Sequence, residues 1–387
     1  FPQGKISTSL PPADATSSAQ FVMQAGGRDV TVFVDPYRGT VLGEQDAKNN
    51  LQAIARALHG ELMIGTVGDR LVELAAGWGV MLVVSGVYLW WPRGRSSAGV
   101  LWPRFSRSGR VFWRDMHAVA GFWGAAFLLV MLLSGMTWTG FWGKQYAELW
   151  NTFPAAMWNN VPQSDQQARV LNTASQQTVP WAMENTPMPM SGDHAEHMKH
   201  GAMNSAPAAP AVRLQQVVDL ATARKVEPGY SITFPTTADG VFTVAVFAND
   251  PRNDATLHVD QYSGKVLADV RWEHYNTVAR ATETGVMLHE GKMFGWVNQL
   301  IVLLICLLIL LSAVSGVVIW WKRRPQGGLG VPPLRHDLPT WKTAVVIMLA
   351  LAIIFPLVGA SLIVVWAVDR LVLARFFNPH ESASGSA

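Results

Sequence analysis

Cysteine is almost absent from this chain: Cys306 is the only one in 387 residues, and it lies within an apolar run. A lone thiol excludes an intrachain disulfide, a cysteine-bound iron–sulfur cluster, a cysteine zinc site and thioether-attached haem. The sequence also lacks a P-loop, a GxGxxG motif after a strand, an HExxH motif and a GxSxG motif. We therefore expect no nucleotide-binding fold, so a nicotinamide or flavin donor would belong to another protein.

Charged residues are also scarce, at 15% of the chain, whereas hydrophobic residues make up 50% and the mean hydropathy is +0.18. Long uncharged runs account for this balance, and they indicate an α-helical membrane protein that contacts lipid. Many of the 17 tryptophans lie at the ends of those runs, where indole rings favour the headgroup layer. The net charge of +3 comes largely from short loops beside the runs, so we expect no nucleic-acid partner.

Four apolar runs are each close to the ~20 residues that cross a bilayer. They cover roughly residues 74–91, 118–140, 300–321 and 343–368, and Pro356 predicts a kink in the last one. The links after the first and third runs carry clusters of arginine and lysine, which predicts that both links are cytoplasmic. The large remaining segments would then be periplasmic, in a multi-pass protein of the bacterial inner membrane.

The expected fold class is therefore an α-helical membrane protein with four spans and periplasmic α+β modules. Its predicted boundaries are a periplasmic segment 1–58, a transmembrane repeat 59–92, a cytoplasmic loop 93–114, a transmembrane helix 115–141, a periplasmic α+β domain 142–285, a second transmembrane repeat 286–322, a cytoplasmic loop 323–342, a transmembrane helix 343–370 and a periplasmic tail 371–387. Because the first residue is Phe1 rather than methionine, we expect a cleaved signal or, in preference, a further spanning helix upstream.

An internal repeat organises the chain, since the stretch 58–91 matches the stretch 288–321 without a gap. The match aligns His59 with His289, Gly65 with Gly295, Ser85-Gly86 with Ser315-Gly316 and Trp90-Trp91 with Trp320-Trp321. Repeats of this kind in membrane proteins often frame a site between them. The shared histidine is therefore the first candidate for a functional residue.

A second pair of matched stretches precedes the two copies of the repeat. TVFVDPYRGTVLGE and TLHVDQYSGKVLADV each place apolar alternation on both sides of a turn, with Asp35, Tyr37 and Gly39 in step with Asp260, Tyr262 and Gly264. This pattern predicts two β-hairpins. Residues 211–272 also read as a helix followed by strands, which is typical of an α+β module.

Three histidines stand at the heads of predicted spans: His59 and His289 on the outer side and His117 on the inner side. A single histidine of this kind is most often a hydrogen-bonded interfacial residue, although ionisable groups at the bilayer are candidates for function. For the repeated pair, equal register places both imidazoles at one depth, as two axial ligands of one haem iron require. If the first helix ran straight, His59 would lie ~22 Å above the hydrocarbon layer.

His117 has no partner among the predicted spans. A ligand on the expected upstream helix is one alternative, and His336, in a proline-flanked loop on the same side, is the other. We expect His258 and His274 to be ordinary surface or packing residues in the periplasmic module.

Residues 183–210 have the composition of an unfolded linker that is rich in methionine and histidine. Thioethers and imidazoles select soft ions such as Cu(I), so the segment contains candidate metal ligands. These are Met190, His194, His197, Met198 and His200. The alternative is a flexible polar linker, because no fixed ligand spacing is evident.

The hairpin stretch and the two histidine-to-tryptophan blocks resemble the PepSY-associated transmembrane family over nearly the whole chain, with one departure at Lys322, where the first block has Pro92. Members of that family include ferric-siderophore reductases of the FoxB type. The resemblance implies a protein with two b haems that passes electrons from a cytosolic or quinone donor to a periplasmic ferric siderophore, releasing Fe(II). By position, His59, His289 and His117 match the family's histidines.

Two other classes of function fit parts of the sequence. One is a copper-handling membrane protein that works through its Met/His segment, and the other is a non-catalytic PepSY module that binds or restrains a partner. A visible-region spectrum of the purified protein separates both from a haem protein.

Overall fold

The structure is a computed structural model that describes residues 4–90, 99, 101–151, 155–172, 177–192, 212–324 and 342–373. The chain divides into two compact units. We call Phe1–Gly65 with Gly143–Gln299 the sheet unit, and Thr66–Trp142 with Leu300–Ala387 the helical unit.

The sheet unit contains ten described strands. They are β1 Lys5–Leu10, β2 Ala19–Ala25, β3 Arg28–Val34, β4 Val41–Asp46, β5 Gln163–Gln167, β6 Pro187–Pro189, β7 Ser231–Thr233, β8 Val241–Val246, β9 Ala255–Asp260 and β10 Val266–Arg271. Eight of them form one antiparallel sheet in the order β10-β9-β8-β7-β1-β2-β3-β4, and β5 pairs with β6 separately.

The helices of the described chain are α1 Leu51–Glu61, α2 Thr66–Trp90, α3 Gly109–Met136, α4 Trp142–Trp150, α5 Leu214–Ala223, α6 Thr277–His289, α7 Gly295–Trp321, α8 Lys342–Ile354 and α9 Pro356–Val368. The helix and strands expected within 211–272 are confirmed as α5 and β7 to β10.

Both predicted hairpins are present, as β3–β4 and β9–β10. In each turn the aspartate accepts hydrogen bonds from the backbone N–H groups two and three residues further on, at Asp35 and at Asp260. The matched glycines Gly39 and Gly264 have φ of +67° and +70°, a conformation that favours glycine. From the sequence we expected the two hairpins in separate modules. Pairing of Thr8 with Thr233 and of Ser9 with Ile232 joins them in one sheet.

The core of the sheet unit lies on both faces of β8 and β9, whose residues are all buried. On one face α5 packs through Val217 and Ala221 against strand residues such as Leu257. On the other face, a second cluster includes Trp158 and Trp181 from the segment between α4 and α5. Cover on both faces explains why β8 reads as a continuous apolar run rather than as an alternation.

Residues 183–192, which the composition placed in an unfolded linker, are folded. Met183 is fully buried in the core, Met188 packs against it, and the backbone N–H of Met190 donates to the carbonyl oxygen of Pro162. Met183 and Met188 are therefore held as apolar side chains of the sheet unit, and Met190 is fixed there through its backbone. The expected linker therefore starts no earlier than residue 193, and residues 193–211 lie outside the described chain.

Among the described residues, three helices, α2, α3 and α7, are long and apolar enough to cross a membrane, with 25, 28 and 27 residues. The fourth expected span is broken rather than kinked: α8 and α9 are inclined by 118° at Phe355, and they complete a fourth crossing only if the bent pair acts as one span. Pro356 begins α9, where its missing N–H costs no hydrogen bond. Phe355 is buried against Val80, Met81 and Met136, which fixes the break by packing.

Candidate functional site

The repeated histidines lie on short helices that precede the spans, and not on the spans themselves. His59 is on α1 and His289 is the last residue of α6. Each helix ends in a turn with left-handed backbone before the next helix begins, so a straight helix from His59 into the bilayer is wrong.

Positive φ angles build both turns. In the first copy, Leu62 and Met63 have φ of 50° and 58°, which is uncommon for residues other than glycine. In the second copy Gly291 takes φ of +72°, and the aligned glycines Gly65 and Gly295 are both positive at 63° and 57°. The turns end α1 and α6 as separate elements, so each histidine is placed by its own short helix.

The turn after His289 is held by a buried amide. Asn298 is 3% exposed, and its Nδ2 donates a 2.9 Å hydrogen bond to the carbonyl oxygen of Leu288, which also accepts from the backbone N–H of Gly291 at the end of α6. A Cβ on Gly291 would lie 3.2 Å from Gln299 Cγ, so this close approach also needs glycine. Together these contacts fix the backbone on which His289 stands.

The rings of His59 and His289 meet, with centroids 6.1 Å apart and planes inclined by 61°. An imidazole nitrogen binds a metal ion at roughly 2.0 Å and lies about 1.1 Å from the ring centre, so two imidazoles on opposite sides of one ion have centres about 6 Å apart. Two rings in simple edge-to-face packing have a similar separation. However, His59 is exposed, and α1 contains no buried residue, so a core-packing role does not explain the pair.

Two nitrogens do not complete the coordination of a metal ion. Across the described residues, no group of three or more His, Cys, Asp or Glu side chains is placed to hold one. The remaining ligands would have to come from another molecule, as the porphyrin nitrogens do in a bis-histidine haem. The donor set therefore fits haem iron better than a metal ion held by protein alone.

Exposed apolar side chains flank the pair along the chain. They are Leu51, Ile54 and Leu58 on α1, Leu62, Met63 and Ile64 in the first turn, and Phe294 and Trp296 beside the second turn. An apolar surface of this extent marks a contact with lipid, a macrocycle or a partner.

His117 lies on α3 and contacts the second copy of the repeat. Its Nδ1 is 3.0 Å from the carbonyl oxygen of Ser312 and 3.2 Å from Ser315 Oγ, which itself donates to Leu311. A carbonyl oxygen only accepts, so in the neutral imidazole this bond places the proton on Nδ1 and leaves the Nε2 lone pair available to a metal ion. In the described chain no second imidazole pairs with His117, and the alternative partner His336 falls outside the described residues.

The Ser-Gly motif of the repeat has different surroundings in its two copies. A Cβ added at Gly316 would lie 3.6 Å from His117 Cε1, so the glycine leaves room for the imidazole ring. A Cβ at Gly86 would meet nothing within 4 Å. The repeat therefore places a Ser-Gly motif at equivalent positions of both copies. In the described structure, only the motif of the second copy contacts a histidine.

The family model described as the PepSY-associated TM region matches residues 2–323. The chain belongs to this family. No curated protein matches it. Membership of the PepSY-associated family agrees with the apolar helices α2, α3 and α7, and the protein is a membrane protein.

Of the candidate soft-metal ligands in this PepSY-associated chain, Met190 is described and His194, His197, Met198 and His200 lie outside the described residues. His258 and His274 were expected to be ordinary surface or packing residues, and the structure places His258 in the core and His274 at a half-buried position. His258 is fully buried, bonds Thr243 through Nδ1, and has its pKa lowered to about 4 by desolvation. His274 Nδ1 accepts from the backbone N–H of Arg271.

Two buried acids of the sheet unit escaped the sequence reasoning. Glu283 is 0% exposed, and its Oε1 accepts from the backbone N–H of Ala182 while Oε2 has no partner. Asp254 is 1% exposed, and its Oδ1 accepts from the backbone N–H of Ala248 while Oδ2 has no partner among the described residues. Burial raises the pKa of both carboxyls well above the ordinary range. No motif surrounds either acid, so only the tertiary structure reveals them.

Proposed function

We propose that this membrane protein is a b-type haem oxidoreductase that moves electrons across the bacterial inner membrane and reduces a periplasmic ferric siderophore. The observation that carries the proposal is the contact of His59 with His289 at a ring separation of 6.1 Å. Two imidazoles from matched positions of a repeat, flanked by apolar surface, suit the axial ligands of one haem.

The chain's own residues have distinct roles in this proposal. His59 and His289 would hold the outer haem iron, and the turns at Leu62 and Gly291 keep the two imidazoles in position. His117, with its Nδ1 proton directed to Ser312, would present Nε2 to a second, inner haem. When bound, b haem supplies reversible one-electron transfer.

The proposed substrate is Fe(III) held by a siderophore, which takes up one electron and becomes Fe(II). Oxygen chelators are hard ligands, and Fe(II) suits them less well than Fe(III), so reduction promotes release of the metal. A cytosolic or quinone donor would supply the electron, because the sequence contains no nucleotide-binding motif of its own.

Charge distribution in the sequence supports the proposed orientation. The links 93–114 and 323–342 are rich in arginine and lysine, which predicts that both are cytoplasmic and that the segments 1–58 and 142–285 would be periplasmic. In an inner-membrane protein of this orientation, the His59–His289 pair belongs to the periplasmic side.

Visible-region spectroscopy of the purified full-length protein tests the proposal. We expect Soret and α bands that sharpen on dithionite reduction, and about half of the haem should be lost in His59→Ala and in His289→Ala. His274→Ala is the matched control, since that imidazole only accepts from a backbone N–H, and its haem content should stay unchanged. A colourless wild-type protein, or full haem retention in both variants, would overturn the assignment.

Addition of a ferric siderophore to the dithionite-reduced, desalted protein tests the substrate. The reduced bands should convert to the oxidised spectrum as Fe(II) appears in a ferrozine assay. Reduced bands that persist in the presence of the chelate would remove the reductase function while leaving the haem in place. A copper-handling protein would instead show no haem bands.

A further inference from the structure

The sheet unit contains a cavity of about 450 Å³. Residues of β1, β2, β3, β7 and β8 line one side, and residues around β5 and β6 line the other. This volume is in the range of pockets that hold small molecules. The proposed haem function does not use it.

Three threonines give the cavity a polar wall. Thr8 and Thr178 are 6% and 4% exposed and line the cavity, yet their hydroxyls have no hydrogen-bond partner in the described chain. Thr233, which is paired with Thr8 across β1 and β7, also has a buried Oγ1 without a partner. The Thr8 and Thr178 hydroxyls are therefore available to a polar molecule in the cavity, and the enclosed Thr233 hydroxyl adds an unsatisfied polar group to the same wall, where hydroxyls are nearly always bonded.

The threonine wall belongs to a longer row across the sheet. Strand pairing places Thr8 beside Thr233, Thr233 beside Thr243, and Thr243 beside His258 on one face. Thr243 and His258 bond each other, so the inner end of the row is satisfied by protein. The outer end, which lines the cavity, is the part left without partners.

The described residues that line the cavity have negative charge and no positive charge. Its carboxylates are Asp29 and Asp239, and none of these described lining residues is a lysine, arginine or histidine. Lys48 lies 3.8 Å from Asp29 and partly compensates it. The Asp239 carboxylate has no hydrogen-bond or ion-pair partner in the part of the chain that the structure describes, and Phe234 also lines the site. A carboxylate with an aromatic ring suits an ammonium group.

We propose that this cavity binds a small organic cation, with an ammonium group at Asp239 and hydroxyl or amide groups at the unpartnered threonines. The side-chain amides of Gln24 and Gln166, which also lack partners among the described residues, extend the hydrogen-bonding surface. Anionic molecules are disfavoured, because they would meet two carboxylates and no cationic side chain. The ligand class follows from the sheet unit alone and does not depend on haem.

Calorimetric titration of the full-length protein in detergent tests this site, with glucosamine and spermidine as cations. Glucose and triethylene glycol are their uncharged counterparts. We expect at least one cation to bind with Kd below ~1 mM and its counterpart at least about tenfold more weakly. Absence of binding by both cations, or equal binding of an uncharged counterpart, would overturn the proposal and leave a cavity that holds only water.

Three variants locate the binding. Asp239→Asn should weaken the cation about tenfold, whereas Asp219→Asn, the same change on an exposed residue of α5, should leave binding unchanged. Thr8→Val should also weaken binding while the melting temperature without ligand stays equal or rises, because an unpaired buried hydroxyl is lost. Equal binding by the two aspartate variants would refute the site, and His59→Ala should bind the cation normally even where haem is lost.

Discussion

The sheet unit should become less stable as pH rises, because its folded state keeps a buried carboxyl protonated. Glu283 is fully buried with one oxygen unpaired, and desolvation raises its pKa in the folded state. The unfolded chain loses this proton at the ordinary carboxyl pKa, so the folded state binds more protons over the interval up to the raised value. Each such proton lowers the free energy of unfolding by about 1.4 kcal/mol per pH unit.

Glu283→Gln keeps the size of the side chain and an acceptor for Ala182 N–H but removes the titration. Near pH 5 the variant and the wild type should have similar stability, because the wild-type carboxyl is already neutral. Between about pH 5.5 and about pH 7.5 the wild type should lose about 3 kcal/mol per carboxyl relative to a non-titrating variant. For a unit of this size that is a difference on the order of 5–10 °C in melting temperature.

Tryptophan fluorescence during thermal unfolding is a direct assay, since buried Trp181 is adjacent in sequence to Ala182. The pH slope of the melting temperature should fall in Glu283→Gln and fall further when Asp254→Asn is added. Glu148→Gln is the control, since that side chain is 57% exposed. Parallel pH curves for wild type and the double variant would refute the proposed protonation.

Three other substitutions have expected outcomes. Gly316→Leu should displace the His117 ring and lower the haem content as His117→Ala does, whereas Gly316→Ala should fit, as spectra of the purified variants will show. Asn298→Ala removes one of the hydrogen bonds to the Leu288 carbonyl oxygen and should lower the free energy of unfolding by about 0.5–1.5 kcal/mol, as thermal unfolding will show. Asp115→Asn removes the carboxylate that Arg104 and Arg114 bond and should lower the melting temperature, whereas an unchanged melting temperature would show that the pair is dispensable.

Local sequence patterns were enough to predict the hairpins, three membrane-spanning helices and the repeated histidines of this protein. Period-two alternation around an aspartate and a glycine predicted both hairpins, because turn residues and strand pattern act over a few neighbours. Long apolar runs predicted α2, α3 and α7, since the bilayer fixes the length of a span. The gapless repeat aligned His59 with His289 from the sequence alone.

Tertiary structure decided the rest, since it depends on residues far apart in the chain. Pairing of Thr8 with Thr233 made one sheet from two hairpins. Packing of Phe355 turned an expected kink into a break between α8 and α9. The positive φ at Leu62 could not be predicted, because the residue is not a glycine. Neither composition nor pattern predicted the burial of Glu283. The sequence thus identified His59 and His289 as a matched pair, but only the tertiary structure brings their imidazoles into contact. Periodicity in a sequence predicts the structure of each segment and does not predict which segments pack together.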